Sequence, residues 1–251
     1  MLKKKYFYPK YPSDLIRIGD NSDGGYIFNK KIIFKIHSCL SFGLGDNFSF
    51  EKELKKINSK IKIHIFDHTV NYKFWIRHFF YWLWKSIRYR KYLKFLNFVN
   101  YNLFFNFNNN VHYKYRIGTK NHSLTKIINK LNLDPQNTLL KIDIDGDEYK
   151  IIDEIKKFSF LGLIIEFENS CINLKKIEKF IKDNKKLVLI HIHANNFSTV
   201  IEKIPNSIEL SFINKKFIKK KKINKNNYPI KNLDYPNNIM KKDVKLFFKE
   251  Q

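Results

Sequence analysis

Apolar positions along this chain follow two periods. Short apolar runs end in Gly, Asp or Asn, and the segments after them repeat their apolar residues every three or four positions. The first pattern predicts buried strands and the second amphipathic helices. Strands are expected at 26–28, 37–43, 61–66, 111–117, 138–144, 161–167, 187–192 and 208–213. Helices are expected at 49–57, where Phe50, Leu54 and Ile57 share a face, at 123–131, at 148–157, and at 174–184, where Leu174, Ile177 and Ile181 do so. Strands alternating with helices of these lengths indicate βαβ units, hence an α/β fold with a mostly parallel sheet. The last two strands are separated only by residues 195–205, too short for a crossover helix, so they are expected to pair antiparallel at one edge. No repeat with a period of roughly 20–50 residues is present.

One segment breaks the pattern. Residues 71–110, between the second and third expected strands, are rich in Phe, Tyr, Trp, Lys and Arg, where a βαβ unit needs only one helix. Trp75, Phe79, Trp82 and Ile87 could form one apolar stripe, with Arg77, Arg88 and Arg90 nearby. Three readings stay open: a crossover helix with an aromatic core face, an amphipathic surface touching anionic lipid, or a cap over a substrate. With 251 residues, the whole fits a single domain over 1–251, with an N-terminal prelude at 1–36 and an insertion at 71–110.

Composition refines the class. Lys and Arg number 48 against 23 Asp and Glu, a formal net charge of +25, which draws anions such as nucleic acid, anionic lipid or phosphorylated substrates. The dominance of Lys, Asn, Ile, Phe and Tyr is also that of an A/T-rich coding sequence, which weakens the inference. No zinc-finger spacing, RNP-type motif or continuous basic helix supports nucleic-acid binding. No apolar run reaches the roughly 20 residues of a membrane span. The basic N-terminus lacks a following small-residue cleavage site, so no signal peptide is expected. Cys39 and Cys171 lie far apart without metal-site spacing and are expected as buried thiols, which suits a reducing, cytoplasmic setting.

The candidate chemistry sits at strand ends. Gly43-Leu44-Gly45 follows a strand and precedes a helix, the geometry of a turn whose backbone N–H groups can approach a ligand. Phe48 stands where a dinucleotide fingerprint has its third glycine, which argues against a pyrophosphate cofactor. Asp67 ends the next strand, placed to accept both hydroxyls of an adenosine ribose. A glycine turn, a ribose acid and no phosphate fingerprint point to S-adenosylmethionine, whose cationic sulfonium an acid such as Asp46 would favour. Further on, residues 139–152 (LLKIDIDGDEYKII) carry Asp143, Asp145 and Asp147 at alternate positions around Gly146. Carboxylates at the end of a buried strand must face solvent, a ligand or a cation. Asp143 and Asp145 are the site candidates; Asp147 and Glu148 fit a helix N-terminus.

Five places in order, RIGDNSDGGYIF, SFGLGDNFSFE, IFDHT, LLKIDIDGDEYKII and LIIEFE…LIHIHANN, resemble the FkbM family of S-adenosylmethionine-dependent methyltransferases, and IELSFINKKF and LDYPNN resemble the tails of related sequences. The departure is the turn, where many members carry a small residue and a third glycine. The resemblance implies a class I methyltransferase (Rossmann-like) fold with a seven-stranded sheet and O-methylation of a hydroxyl on a sugar or natural product, often in surface-polysaccharide assembly. It places Gly43, Gly45 and Asp67 on the cofactor and Asp143 and Asp145 beside methyl transfer, and it carries over no general base.

Transfer of a methyl group to oxygen needs a hydroxyl aligned with the methyl and a base for its proton. Strand ends offer His191, His193, Asp145 and Glu166. His193 ranks first because histidine titrates near neutrality and lies nearer its strand end than His191; Asp145 follows. Asn195 and Asn196 either orient a sugar hydroxyl or hold a turn. Asp143, Asp145, Glu166 and Glu168 are also a hard-oxygen set suited to Mg²⁺, although a cation there would repel the sulfonium, so no metal ligand is assigned. The expected function is O-methylation of a sugar hydroxyl on a surface glycan or its lipid-linked precursor, with peripheral contact to an anionic membrane. The alternatives are a binding protein that has lost activity and an RNA methyltransferase.

Overall fold

A computed structural model of the chain describes every residue except 12, 90–96, 108–109, 219–222 and 251. Seven strands form the main sheet. In chain order they are β1 (Ser38–Phe42), β2 (Lys62–Phe66), β3 (Val111–Tyr113), β4 (Thr138–Ile142), β5 (Gly162–Glu168), β6 (Leu187–Ala194) and β7 (Ser207–Asn214). Their spatial order is 3-2-1-4-5-7-6. β1 pairs parallel with β2 and with β4, in register from Ser38 opposite Thr138 to Phe42 opposite Ile142. β2–β3 and β4–β5 are also parallel, whereas β7 runs antiparallel to both β5 and β6. The order 3-2-1-4-5 is the Rossmann-like arrangement, with its reversal between β1 and β4. With the 7-6 extension the chain has the class I methyltransferase fold.

The last two strands pair antiparallel at that end of the sheet, as their short connection requires. β7 slots between β5 and β6, leaving β6 as the edge. The helix Ser170–Asp183 carries the chain from β5 past one vacant position, and the short return fills it.

Alternate residues of each strand go to opposite faces, and each face has its own core. Leu40, Phe42, Leu140, Ile142, Leu163 and Ile165 belong to one cluster; Cys39, Ile63, Ile65, Leu139, Ile164 and Ile190 belong to the other. A sheet buried on both faces accounts for strands that read as near-continuous apolar runs. Cys39 is buried as expected, but Cys171 is only half-buried and donates to the Ile204 carbonyl at 3.3 Å.

Several elements differ from the sequence expectation. α1 (Ser49–Ile57) has the expected bounds, and α4 (Leu124–Lys130) nearly so. The expected helix at 148–157 is instead a 3₁₀ turn, Asp147–Lys150, followed by one helical turn, Ile152–Ile155. The left-handed backbone of Asp145 and Gly146 starts it as a tight turn. Beyond Tyr113 the third strand leaves the sheet, because the neighbouring strand ends where Asp67 N–H donates to the Tyr113 carbonyl. The insertion is two helices, α2 (Tyr72–Tyr89) and α3 (Asn97–Phe107). Trp75 is buried and Phe79 and Trp82 half-buried, but Ile87 is on the solvent side: four or seven residues of helix carry 75, 79 and 82 along one face, and 87 falls outside that arc. Arg90 lies outside the described residues.

The prelude forms a hairpin, Leu15–Ile18 with Tyr26–Asn29. The C-terminal tail returns to the start of the chain, where Leu2–Lys3 pairs with Phe248–Lys249.

Candidate functional site

The carboxyl ends of β1, β2, β4 and β5 converge on a cavity of about 390 Å³, inside the roughly 300–1,000 Å³ range of small-molecule sites. It lies at the reversal of strand order, where open α/β sheets bind ligands. Its wall includes Gly43–Asn47 after β1, Asp67–Thr69 after β2, Asp143–Asp145 after β4, and Glu166 and Glu168 from β5.

The turn after β1 depends on its glycines. Gly43 has φ +87°, and a Cβ there would lie 1.7 Å from the Asp143 carbonyl oxygen, so only glycine lets the ends of β1 and β4 lie this close. Gly45, φ +59°, faces open space within 4 Å. The Leu44 and Gly45 N–H groups donate to one Asp67 oxygen at 2.9 and 3.1 Å. The other oxygen accepts from the Thr69 N–H and hydroxyl at 2.7 and 2.6 Å. Burial alone would push the Asp67 carboxyl up, but the Thr69 hydroxyl and the Leu44, Gly45 and Thr69 N–H groups outweigh it and hold the group below its ordinary value. Asp67 therefore lines the cavity as an ionised group that also braces the glycine turn. Asp46 reaches across to α2, where it accepts from the Trp82 indole at 3.3 Å.

The centre of the site is a cluster that sequence reading missed. Lys141, on β4, is 4% exposed. Its ammonium lies 3.8 Å from Glu51 and 3.6 Å from Asp143 and donates to the Gly43 carbonyl at 3.1 Å. Burial would lower the Lys141 pKa, but the charges of Glu51 and Asp143 more than reverse that, so the ammonium stays charged. Glu51 is buried and accepts from the Ser41 hydroxyl at 2.6 Å, a role beyond the helix-dipole partner its position in the first turn of α1 suggests. Tyr26, from the hairpin, donates to Asp143 at 2.7 Å and packs edge-on against Phe50. A lysine inside the apolar run before two aspartates was the available signal, since a buried ammonium needs partners. Nothing local marked Tyr26.

Asp145 follows Asp143 into the wall. It holds a left-handed backbone, φ 49°, and its carboxylate accepts no hydrogen bond from the described residues. Burial first, then the charges of Asp143 and Asp67, raise its pKa. Glu166 accepts from Asn195 at 2.8 Å and Ser207 at 2.6 Å, and burial together with Asp143 and Glu209 pushes it well above the usual carboxylate range. The Asn195 side chain thus orients a carboxyl at the cavity, and its own oxygen accepts from the Phe197 N–H. Asp147 and Glu148 are not simple caps. Asp147 pairs with Arg116 and Lys150, and Glu148, fully buried, accepts from the Gly146 and Glu168 N–H groups. Asp143, Asp145, Glu166 and Glu168 all line the cavity, yet among the described residues no group of three or more His, Cys, Asp or Glu is arranged to hold a metal ion.

The two histidines are elsewhere. His191 and His193 share one side of β6, as their spacing requires, but each is 2% exposed and neither lines the cavity. His191 Nε2 lies 2.9 Å from Asp234, and His193 lies 3.3 Å from Glu209 and 3.1 Å from Asp243. Burial would lower the His193 pKa, but the hydrogen bonds to Asp243 and Glu209 push it up to about 10. A histidine already protonated at neutral pH, with both ring nitrogens engaged, has no lone pair for a substrate proton. The ranking of His193 and His191 as bases is therefore corrected: both hold the C-terminal tail. Asn196 does the same, donating to the Asn238 carbonyl at 3.0 Å. HIHANN and LDYPNN are two halves of one internal contact.

No protein-family model and no curated protein sequence matches the chain. Among solved structures it is similar to a fibrillarin/Nop5p complex, with 11% identity, 72% of this chain and 73% of that chain covered, and a TM-score of 0.41. It is similar to precorrin-6y C5,15-methyltransferase from Geobacter metallireducens, with 12% identity, coverage of 74% and 87%, and a TM-score of 0.38. It is likewise similar to a putative rRNA methylase from Clostridium thermocellum, with 10% identity, coverage of 71% and 86%, and a TM-score of 0.40. The fold follows from strand order and pairing rather than from these distant likenesses.

Proposed function

We propose that this chain is an S-adenosylmethionine-dependent O-methyltransferase acting on a sugar hydroxyl of a surface glycan or its lipid-linked precursor. The observation that carries this reading is the acidic cavity at the strand-order reversal: in a chain of net charge +25, the wall holds nine acidic side chains against Lys141 and Arg116 (Asp23, Asp46, Glu51, Asp67, Asp143, Asp145, Asp147, Glu166, Glu168). Such a cavity favours a cationic ligand and a neutral polyol and disfavours a phosphate. The residues fit the cofactor: open space beside Gly45 admits a ligand to the turn, and the ionised acids suit a sulfonium. The resemblance of the KIDIDG segment to the FkbM family supports transfer to oxygen.

When bound, S-adenosylmethionine would supply an electrophilic methyl group. Gly43, Gly45, Asp46 and Asp67 would hold it, with Asp143 fixed by Lys141 and Tyr26. Asp145 takes the role of general base: its carboxylate is not engaged by the described residues, faces the cavity, and has a pKa raised toward the range where a carboxylate accepts a proton efficiently. Glu166, held by Asn195 and Ser207, would accept a hydrogen bond from, or donate one to, a second substrate hydroxyl.

The RNA-methyltransferase alternative draws on the +25 charge, but the phosphates of an RNA would have to enter an acid-lined wall. The test is release of S-adenosylhomocysteine when the chain is incubated with S-adenosylmethionine and either a lipid-linked oligosaccharide or RNA. Product with the glycan alone is expected, and product with RNA alone would replace this reading.

A further inference from the structure

The outer face of the α2–α3 insertion has no role in the site. α2 turns Trp75 into the core, and Phe104 of α3 is buried against Phe48 at a ring separation of 5.6 Å, so the pair is anchored. The opposite face of α2 exposes Tyr72 (69%), Phe80 (63%), Trp84 (57%) and Ile87 (73%), with Ile76 among them, and α3 adds Val99 and Leu103, each 50% exposed. At about 100° per residue, Ile76, Phe80, Trp84 and Ile87 occupy one arc of the helix. Exposed Lys73, Arg77 and Arg88 lie on or beside that arc, and residues 71–110 contain no acid.

Large apolar side chains and cations on one anchored helix face, with no acid, match a helix that lies in the plane of a membrane interface. No helix of the described residues is long and apolar enough to cross a bilayer, so the surface mode alone applies. From this geometry we infer that the outer face of α2, extended by α3, docks the protein on an anionic lipid bilayer. The aliphatic residues select lipid over RNA, because Ile76, Ile87, Val99 and Leu103 offer no ring for a base to stack on. The charge selects an anionic bilayer over a second copy, since another chain of net charge +25 would bring like charge to the same cations. The placement also has a consequence. Trp82, on the same helix, hydrogen-bonds Asp46 in the glycine turn, so the docked helix borders the cavity wall. An acceptor carried on a lipid would thus be presented beside the site. The docking itself does not depend on the cofactor assignment.

The test is co-sedimentation with vesicles, where methyl transfer plays no part. With so many cations, the whole chain will be drawn to anionic lipid, so the decisive variant keeps every charge. Phe80→Ser combined with Trp84→Ser, both exposed, should bind equimolar phosphatidylglycerol–phosphatidylcholine vesicles at least about tenfold more weakly than the parent. Phe34→Ser, exposed on another face, should bind like the parent, and Arg77→Gln with Arg88→Gln should weaken binding several-fold at low salt. Circular dichroism confirms that each variant is folded. The inference is overturned if the folded parent does not sediment with anionic vesicles, or if parent and Phe80/Trp84 variant sediment equally. It is also overturned if the parent is a dimer that this variant dissolves while neither binds vesicles, or if the variant loses retention on single-stranded RNA but not on lipid.

Discussion

β4 and β6 carry the same kind of signal to the same end of the sheet, where their carboxyl termini lie, and the structure uses them in opposite ways. Lys141 on β4 and Asp143 and Asp145 just after it open into the cavity; His191 and His193 on β6 and Asn195 and Asn196 just after it are all buried, and only Asn195 lines the cavity. The difference lies in what covers each strand end. Past β4 the chain turns tightly at Asp145-Gly146, so the carboxylates face space bounded by the glycine turn. Over β6 lies a segment more than thirty residues downstream, whose Asp234 and Asp243 lie against His191 and His193. Whether titratable residues at a strand end face a cavity is decided by what packs over that end.

The largest way to break this comparison is His193→Ala. It would leave Glu209 and Asp243 facing each other without their cation, and losing one partner of a buried pair costs about 3–5 kcal/mol. Chemical denaturation should show that loss, with cofactor affinity of the folded protein unchanged; retained stability with lost transfer would restore His193 as the base. The pH dependence sharpens it. Because the folded pKa of His193 is raised to about 10, its contribution is complete below the unfolded value near 6.5 and is lost as pH rises through about 10. Glu209 and Asp234 are shifted the other way, so their contribution is present above ordinary carboxylate values and lost as pH falls through their lowered ones. The melting temperature should therefore plateau between those limits.

On the open side, Asp145→Asn should slow methyl transfer by about 10²–10⁴-fold while thermal stability holds or rises. Asparagine tolerates the left-handed backbone, and the ionised form of an acid with a raised pKa disfavours folding. Loss of stability would mean that Asp145 has a structural partner instead. The smallest effect is on binding: affinity for the cationic cofactor should rise with pH above the ordinary aspartate value, as Asp145 ionises. A flat calorimetric profile would remove Asp145 from the cofactor's surroundings.

The sheet was legible because its strands are buried on both faces and broken by glycines and acids, and the parallel order followed from intervening helices. Residues 148–157 misled because their apolar spacing is helical while the turn at Gly146 limits the helix to single turns. That Gly43, Gly45, Asp67, Asp143 and Asp145 share one cavity wall could be anticipated, because each lies just past a strand end next to a glycine or an alternation. Lys141, Glu51 and Tyr26 were not assigned, since their roles come from meeting one another across 90 residues or more. His191 and His193 were misassigned for the same reason: alternation shows the face of a strand, but only tertiary structure shows that a distant tail covers it.

The most direct test of the account is calorimetric titration of S-adenosylmethionine into the intact chain and its Asp67→Ala variant. The account predicts saturable binding at one site per chain, strongly weakened when the brace of the glycine turn is removed. A folded parent that binds no S-adenosylmethionine would contradict it.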